Sequence, residues 1–196
     1  MNIQLTKTQK ILIESSDDLA RIMRQILLRE NKLSRLREHL WTIGLDEEFK
    51  MLFVELIAFG IPAKDQVQPT EIYKLPLQKD AKYLYLCHNR KTDDMSAKED
   101  DKALTDRMIQ VGRIIGIEVF DHIVINAKAE DHLSYNAVGL MEELRKSLLW
   151  VPAYEQVEMI KRMQRESIAR KMKQDNVPVE QIVKFTGLSE GEIGKL

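Results

Sequence analysis

Two short stretches of this sequence combine residue types that could do chemistry. Cys87 precedes His88, and Asp121 precedes His122, so a thiol–imidazole pair and a carboxylate–imidazole pair lie side by side along the chain. Such pairs activate nucleophiles or move protons when their side chains meet. Neighbours on a strand point to opposite faces, so we expect neither pair to meet. We interpret Cys87 as a small buried apolar residue and His122 as a structural one.

The elements that position these residues alternate between strands and helices, which is typical of an α/β domain. Ser15 begins an N-cap cluster, Gly116 is a fitting helix end, and Pro76 argues against a long helix. The predicted order is a short strand over 10–14, a helix over 19–30, two strands within 39–60, a short helix from Pro69, a strand over 82–87, a polar loop over 88–100, a helix over 101–115 and a strand over 117–125.

The character of the chain changes after Gly139, and Trp150-Val151-Pro152 marks a boundary. We predict two domains, residues 1–150 and a helical tail over 151–196. The tail should contain a long helix over 154–175, a second helix over 179–186 and a last short segment from Glu190.

Composition narrows the class of protein. The chain has 196 residues, a formal net charge of −1 and one cysteine, which excludes an internal disulfide and a cysteine-rich zinc site. The first residues lack the apolar run of a signal peptide, and we find no apolar run long enough for a membrane span. We therefore expect a cytoplasmic protein without a membrane partner.

Several motifs follow one another in a fixed order over Val67–Leu140. They are Val67-Gln68-Pro69-Thr70-Glu71-Ile72-Tyr73, His88-Asn89-Arg90, Asp101-Lys102-Ala103-Leu104-Thr105, Gly112 to Ile117 followed by Asp121-His122-Ile123-Val124-Ile125, and Ser134-Tyr135-Asn136 with Gly139-Leu140. Together these motifs resemble the RadC-like branch of the JAB/MPN family, with His88-Asn89-Arg90 in place of His-Asn-His. This resemblance implies a mixed sheet flanked by helices, as in cytidine-deaminase-like folds.

The resemblance implies zinc hydrolase chemistry of the JAMM type. Active members hold zinc with two histidines and an aspartate, and a zinc-bound water becomes the nucleophile. His88 and Asp101 match two of these ligands. A glutamate acts as the proton shuttle, and the sequence leaves Glu71 and Glu55 open for that role.

The third ligand position is Arg90, which has no lone pair to offer a metal. The family's serine aligns with Lys98, a second added positive charge. The implied site is therefore a remnant: metal residues His88 and Asp101, and catalytic positions Glu71 and Lys98. One hypothesis places the Arg90 guanidinium in the metal position, paired with Asp101 in a bidentate manner.

Other interpretations of the same residues stay open. His88 is either a surviving ligand or a hydrogen-bonded residue at a strand end. Asp101 is either a ligand or a helix cap, and we favour the cap. Arg90, Lys91 and Lys98 could form an anion site, although the acidic residues of this segment oppose that reading.

Three functions follow. The first is a catalytically inactive RadC-like domain that acts by binding, in a setting of DNA repair or mobile elements, with no cofactor expected. The second is a metal-dependent hydrolase in which Asp93 or Asp94 replaces the lost histidine and zinc binds. The third is a DNA-associated module that uses the C-terminal helices.

The tail suggests partners of its own. It resembles helical segments found on some mobile-element nuclease-like proteins, and residues 179–190 look like a helix-turn-helix. The would-be recognition helix is short and acidic, which disfavours a major groove. The long helix before it is basic with an apolar stripe, so it could also bind a protein partner or a second copy of the chain.

Overall fold

The computed structural model describes residue 3 and residues 12–60, 67–92, 94–126 and 131–196, with Tyr154 described by its backbone alone. The chain divides into two compact units, residues 1–150 and residues 151–196. Each unit is described below by itself.

The first unit contains a mixed five-stranded sheet with helices on both faces. Its helices are α1 (Ser16–Leu28), α2 (Lys32–Arg35), α3 (Pro69–Gln78), α4 (Glu99–Ile115) and α5 (Leu140–Arg145). Its strands are β1 (Glu38–Leu45), β2 (Met51–Gly60), β3 (Tyr83–Arg90), β4 (Glu118–Asn126) and β5 (His132–Ser134).

The strands are arranged in the order β2-β1-β3-β4-β5. β3 and β4 are parallel and are connected through α4, whereas the other neighbouring strands are antiparallel. Because strand side chains alternate between faces, His88 and Arg90 at the end of β3 lie on the same face, and Cys87 and Asn89 lie on the other.

Each face of the sheet has its own hydrophobic core. Apolar residues of α1, including Leu19 and Met23, pack with Trp41 and Tyr85 on one face. The other face packs against α3 and α4 through residues that include Ile72, Leu104 and Met108. α4 therefore lies on the face that carries His88 and Arg90. This architecture confirms the predicted α/β fold with a mixed sheet flanked by helices.

Several predicted boundaries are wrong near polar residues and prolines. β3 continues to Arg90, where we expected a loop from His88, because β4 pairs with residues 88–90 and β1 pairs with His88, and all three residues are buried. α3 is a short helix, as predicted, and it includes the buried Pro76 before it ends at Gln78. The predicted first strand is represented in the described residues by one bridge, between Leu12 and Lys50. α2, β5 and α5 were not predicted.

The second unit is helical, as predicted. It contains α6 (Ala153–Gln174), α7 (Val179–Thr186) and α8 (Glu190–Gly194). Its small core consists of Ala169, Ile182, Leu188 and Ile193. None of the helices in the described part of the chain is both long and apolar enough to span a membrane.

Candidate functional site

The last residues of β3 are polar and almost completely buried. His88, Asn89 and Arg90 are 1%, 0% and 3% exposed, so each needs a partner inside the protein. On the α1 face, the Asn89 side chain accepts from the backbone N–H of His39 and donates to the carbonyl of Arg37. These bonds connect β3 to the start of β1 and fix the strand end that carries His88 and Arg90.

On the opposite face, Arg90 forms a buried ion pair with Asp101. Asp101 lies in the first turn of α4, and its side chain is 0% exposed while that of Arg90 is 2% exposed. The Arg90 Nη2 atom donates to Asp101 Oδ2 and to the Ser96 carbonyl, the latter at 3.3 Å. The pairing expected from the sequence is present, but it uses one nitrogen instead of a bidentate fork. The N-cap of α4 is Lys98, so the favoured interpretation of Asp101 as the cap is wrong.

A chain of buried polar contacts continues from this pair. His88 Nε2 lies 3.4 Å from Asp101 Oδ2, and His88 Nδ1 lies 2.8 Å from His122 Nε2. His122 Nδ1 is 2.6 Å from the Thr105 hydroxyl oxygen, and that hydroxyl donates to the Asp101 carbonyl at 2.6 Å. Four side chains from β3, β4 and α4 thereby form one connected network with Arg90.

The Thr105 hydroxyl lies 2.6 Å both from the Asp101 carbonyl oxygen and from His122 Nδ1, so it links α4 to β4. His88 in turn presents Nδ1 to His122 and Nε2 to Asp101. Nε2 is therefore the His88 nitrogen on the side of the site where Asp101 lies.

These residues do not fit a zinc ion. A zinc site needs lone pairs from at least three side chains, and the guanidinium that stands in place of the third ligand has none. The same guanidinium bonds to Asp101 Oδ2, the oxygen that faces His88. Across the described residues, no group of three or more His, Cys, Asp or Glu side chains is placed to hold a metal.

The structure places the predicted catalytic residues in peripheral positions. Glu71 is exposed in the first turn of α3, where its carboxylate accepts the backbone N–H of Gln68 at 3.3 Å. Lys98 is exposed at the N-cap of α4. Glu55 is half-buried on β2, opposite Thr42. The contacts described for Glu71 and Lys98 do not connect either side chain with His88 or Asp101.

Sequence reasoning missed one carboxylate near the site. The β1–β3 pairing ends with Leu40 opposite His88, and Glu38, two residues earlier in β1, lies on the same face of that strand as Leu40. Glu38 is half-buried. The signal in the sequence was a charged residue directly before the predicted strand, but its position relative to β3 depends on the register.

The other candidate residues have separate positions. Asp93 lies outside the described residues. Asp94 is exposed and accepts from the Ser96 backbone N–H at 2.9 Å, and hydrogen bonds from Ser96 lower its pKa. Cys87 is fully buried, and burial raises the pKa of its thiol. Asp121 accepts from the backbone N–H of His122, so the two side chains do not form a catalytic dyad.

Comparison with known proteins shows which family this sequence matches. A family profile described as RadC-like JAB domain matches residues 13–140. The chain is 31% identical over 140 residues to a UPF0758 protein of Syntrophomonas wolfei, which covers 71% of this chain and 57% of that protein. It is 36% identical over 89 residues to UPF0758 proteins of Desulforudis audaxviator and Desulforamulus reducens, covering 45% of this chain and 39% of each relative.

The chain thus spans between about two fifths and three fifths of the length of these relatives. The profile match covers the sheet, α1, α3 and α4, including every member of the buried network. The match covers more than half of the chain and agrees with the mixed sheet described above, so the chain belongs to the RadC-like JAB domain family.

Proposed function

We propose that this RadC-like domain is not a hydrolase and acts as a binding module, with an internal arginine in place of the metal ion. The observation that supports this function is the buried ion pair between Arg90 and Asp101, whose side chains are 2% and 0% exposed. Compared with the two histidines and one aspartate that the resemblance implies, the site lacks one metal donor and contains a buried cation, Arg90. A role in DNA repair or with mobile elements is part of the proposal and rests on the resemblance.

Electrostatics argue that zinc and Arg90 exclude each other. Two like unit charges 4 Å apart repel by about 4 kcal/mol at an effective dielectric constant of 20. A doubly charged ion doubles that repulsion and would also have to displace Arg90 from Asp101. The displaced guanidinium would lose its buried partner, and a buried charge left uncompensated costs about 3–5 kcal/mol. Both effects oppose metal binding at this site.

Zinc titration tests the proposal. We expect the purified chain to bind no stoichiometric zinc, and Arg90→His to gain a site because it restores an imidazole beside His88 and Asp101. Arg90→Gln is the matched control, since it removes the same charge without adding a strong metal ligand. Asp101→Ala added to Arg90→His should abolish the gained site. Isothermal titration calorimetry and metal analysis after dialysis provide the measurements.

One result would favour the alternative function. Stoichiometric zinc in the wild-type chain that is lost in Asp101→Ala would indicate a hydrolase with a substituted ligand. Asp94→Ala would then test the exposed carboxylate considered for that role. Such a result would contradict the binding-module proposal directly.

We also propose that the partner is a protein or a second copy of this chain, and that α6 provides the contact. Val157, Ile160 and Ile168 are 51%, 41% and 51% exposed, and their spacing places them on one side of the helix. The short α8 carries Glu190 and Glu192, which disfavours DNA.

Sedimentation velocity on the full chain tests this contact. Val157→Glu with Ile160→Glu should shift an associated species towards monomer, whereas Glu155→Gln, a charge change at an exposed α6 position on the opposite side of the helix, should not. A monomeric wild-type chain that instead binds duplex DNA with strong salt dependence, lost on deletion of residues 151–196, would favour the DNA-associated module.

A further inference from the structure

One side of α6 carries an apolar stripe, which we call the α6 stripe. It consists of Val157, Ile160 and Ile168, which are exposed and spaced so that they lie on one side of the helix. The stripe is narrow, because the position between Ile160 and Ile168 on this side is the exposed Gln164. A different side of α6 packs into the core of the second unit through Ala169, which is completely buried. The stripe is therefore not used by the core of its own unit.

The charged residues that border the α6 stripe are all basic. Side chains three or four positions apart on a helix are neighbours. By that rule the charged neighbours of the stripe are Lys161, Arg165 and Lys171, which are exposed and which we call the basic border. None of the three acidic residues of α6 is three or four positions from a residue of the stripe. The side of α6 that carries the stripe is therefore positively charged.

The basic border has little compensation within the protein. In the part of the chain that the structure describes, Arg165 and Lys171 form no ion pair. Lys161 pairs with Glu158 at 2.8 Å, but both side chains are exposed, so the pair is weak. By contrast, Arg162 on the other side of α6 has one acidic partner in its own helix and another in α8. The positive charge beside the stripe is thus available to a binding partner.

This charge pattern disfavours a second copy of the chain as the partner. Two α6 helices that met through their stripes, in either direction, would bring the basic borders of both copies together without an acidic residue between them. Like charges across such a contact repel each other. Acidic side chains at the corresponding positions of a different partner would instead form ion pairs with Lys161, Arg165 and Lys171.

The α6 stripe itself disfavours nucleic acid and lipid. Phosphates are contacted by charged and polar groups, whereas the centre of this surface is apolar. A helix that lies in a membrane interface needs a large apolar face, typically with tryptophan, phenylalanine or leucine. Here the apolar face consists of three β-branched side chains and is interrupted by Gln164. A narrow apolar stripe with charged borders is typical of a helix that packs on another helix.

We propose that the α6 stripe binds an amphipathic helix of another protein, in which Asp or Glu residues flank the apolar side. This inference rests on the proposed role of α6 as the contact, and it names the chemistry of the partner. The apolar side chains of the partner would cover Val157, Ile160 and Ile168, and its carboxylates would pair with the basic border. The surface from Val157 to Lys171 is about 21 Å long, which a partner helix of about four turns would cover.

Three synthetic peptides test the proposal on the full chain. They share one amphipathic helical sequence of about 18 residues with leucine on its apolar side, and they carry Glu, Gln or Lys at the positions beside the leucines. Fluorescence anisotropy measures their binding. We expect the Glu peptide to bind about 3- to 100-fold more tightly than the Gln peptide, and the Lys peptide to bind least. Raising the salt concentration from about 0.05 M to about 0.5 M should remove most of this difference.

Matched variants test where the peptides bind. Lys171→Gln should weaken binding of the Glu peptide about 2- to 5-fold and leave binding of the Gln peptide unchanged. Arg162→Gln is the control, because it removes the same charge about two and a half turns away, on the opposite side of the helix. Val157→Glu with Ile160→Glu should abolish binding of the Glu and Gln peptides. Circular dichroism checks that each variant is folded.

Several results would overturn the proposal. If the three peptides bound equally well and the Val157→Glu, Ile160→Glu variant lost that binding, α6 would remain the contact but would not select acidic partners. If none of the peptides bound, or if Arg162→Gln weakened binding as much as Lys171→Gln, the acidic partner would be refuted. Self-association through α6 would refute it in favour of a second copy. Tighter binding of duplex DNA, or of vesicles that contain phosphatidylserine, would refute it in favour of nucleic acid or lipid.

Discussion

At the scale of single residues, the stability of the first unit depends on the ion pair between Arg90 and Asp101. The pair is buried, so Arg90→Ala leaves a carboxylate inside the protein without its cation. We expect the free energy of unfolding to fall by about 3–5 kcal/mol. Urea denaturation followed by circular dichroism measures this loss.

Two further variants separate burial from pairing. Arg21→Ala breaks an exposed Arg–Asp pair, with Asp18, and should cost less than about 1 kcal/mol. Replacing both partners, Arg90→Met with Asp101→Leu, should recover most of the loss because no unpaired charge remains. An equal cost for Arg90→Ala and Arg21→Ala would contradict a buried, paired arginine.

Cys87 gives a second prediction at this scale. Its side chain is fully buried, and burial raises the pKa of the thiol, so the reactive thiolate is scarce in the native chain. We expect 5,5′-dithiobis(2-nitrobenzoic acid) at pH 8 to modify Cys87 in denaturant and to leave the native chain unmodified for hours. Rapid native labelling would show that the core of the sheet opens.

At the scale of elements, α4 positions the site through a close approach at Gly112. A Cβ atom there would lie 2.3 Å from the Ile117 carbonyl oxygen and 2.8 Å from the Tyr73 hydroxyl. The Tyr73 hydroxyl also donates to the Met108 carbonyl, so it joins α3 to α4. We expect Gly112→Ala to lower the free energy of unfolding by about 1–3 kcal/mol, measured by urea denaturation.

The control lies two residues further along the same helix. Ile114 is 70% exposed, so Ile114→Ala should change stability by less than about 0.5 kcal/mol. If Gly112→Ala were as harmless, α4 would have room to move away from Ile117 and Tyr73. That outcome would also contradict the view that the close approach at Gly112 positions Asp101 and Thr105.

The elements that the sequence predicts well are those with long apolar patterns. α4 and β4 follow from periodicity, and Gly116 adopts the left-handed conformation expected of a helix end, with φ 76°. The end of β3 was not predictable in this way. His88 and Arg90 look like loop residues, and their burial depends on bonds to α4 and β4 that local sequence does not specify.

Contacts of the candidate site that follow from the chemistry of two side chains could be predicted from the sequence. Contacts that depend on the register between strands could not. That Arg90 pairs with Asp101 follows from the charge of one and the retained acid of the other. The bond between His88 and His122 joins residues 34 apart in sequence, and it requires the parallel pairing of β3 with β4. Glu38 was missed because its position on the His88 face depends on where β1 begins and on the β1–β3 register.

At the scale of the whole molecule, the two compact units meet in sequence at Trp150 and Val151. The prediction of two domains requires each unit to fold without the other. We expect residues 1–150 alone to unfold in one cooperative transition, with a urea midpoint close to that of the first unit in the full chain. Failure of this fragment to fold would show that the helical unit is required for stability.

The Arg90–Asp101 pair also has a consequence for how this domain responds to its surroundings. A bound metal ion dissociates, exchanges with other ions and varies with supply, whereas a positive charge attached to the chain does none of these things. If Arg90 holds this position permanently, a chelator should leave the thermal midpoint of the protein unchanged at any concentration. The positive charge at this position would then belong to the polypeptide from its synthesis onward, and the domain would keep the same shape in metal-poor and metal-rich conditions.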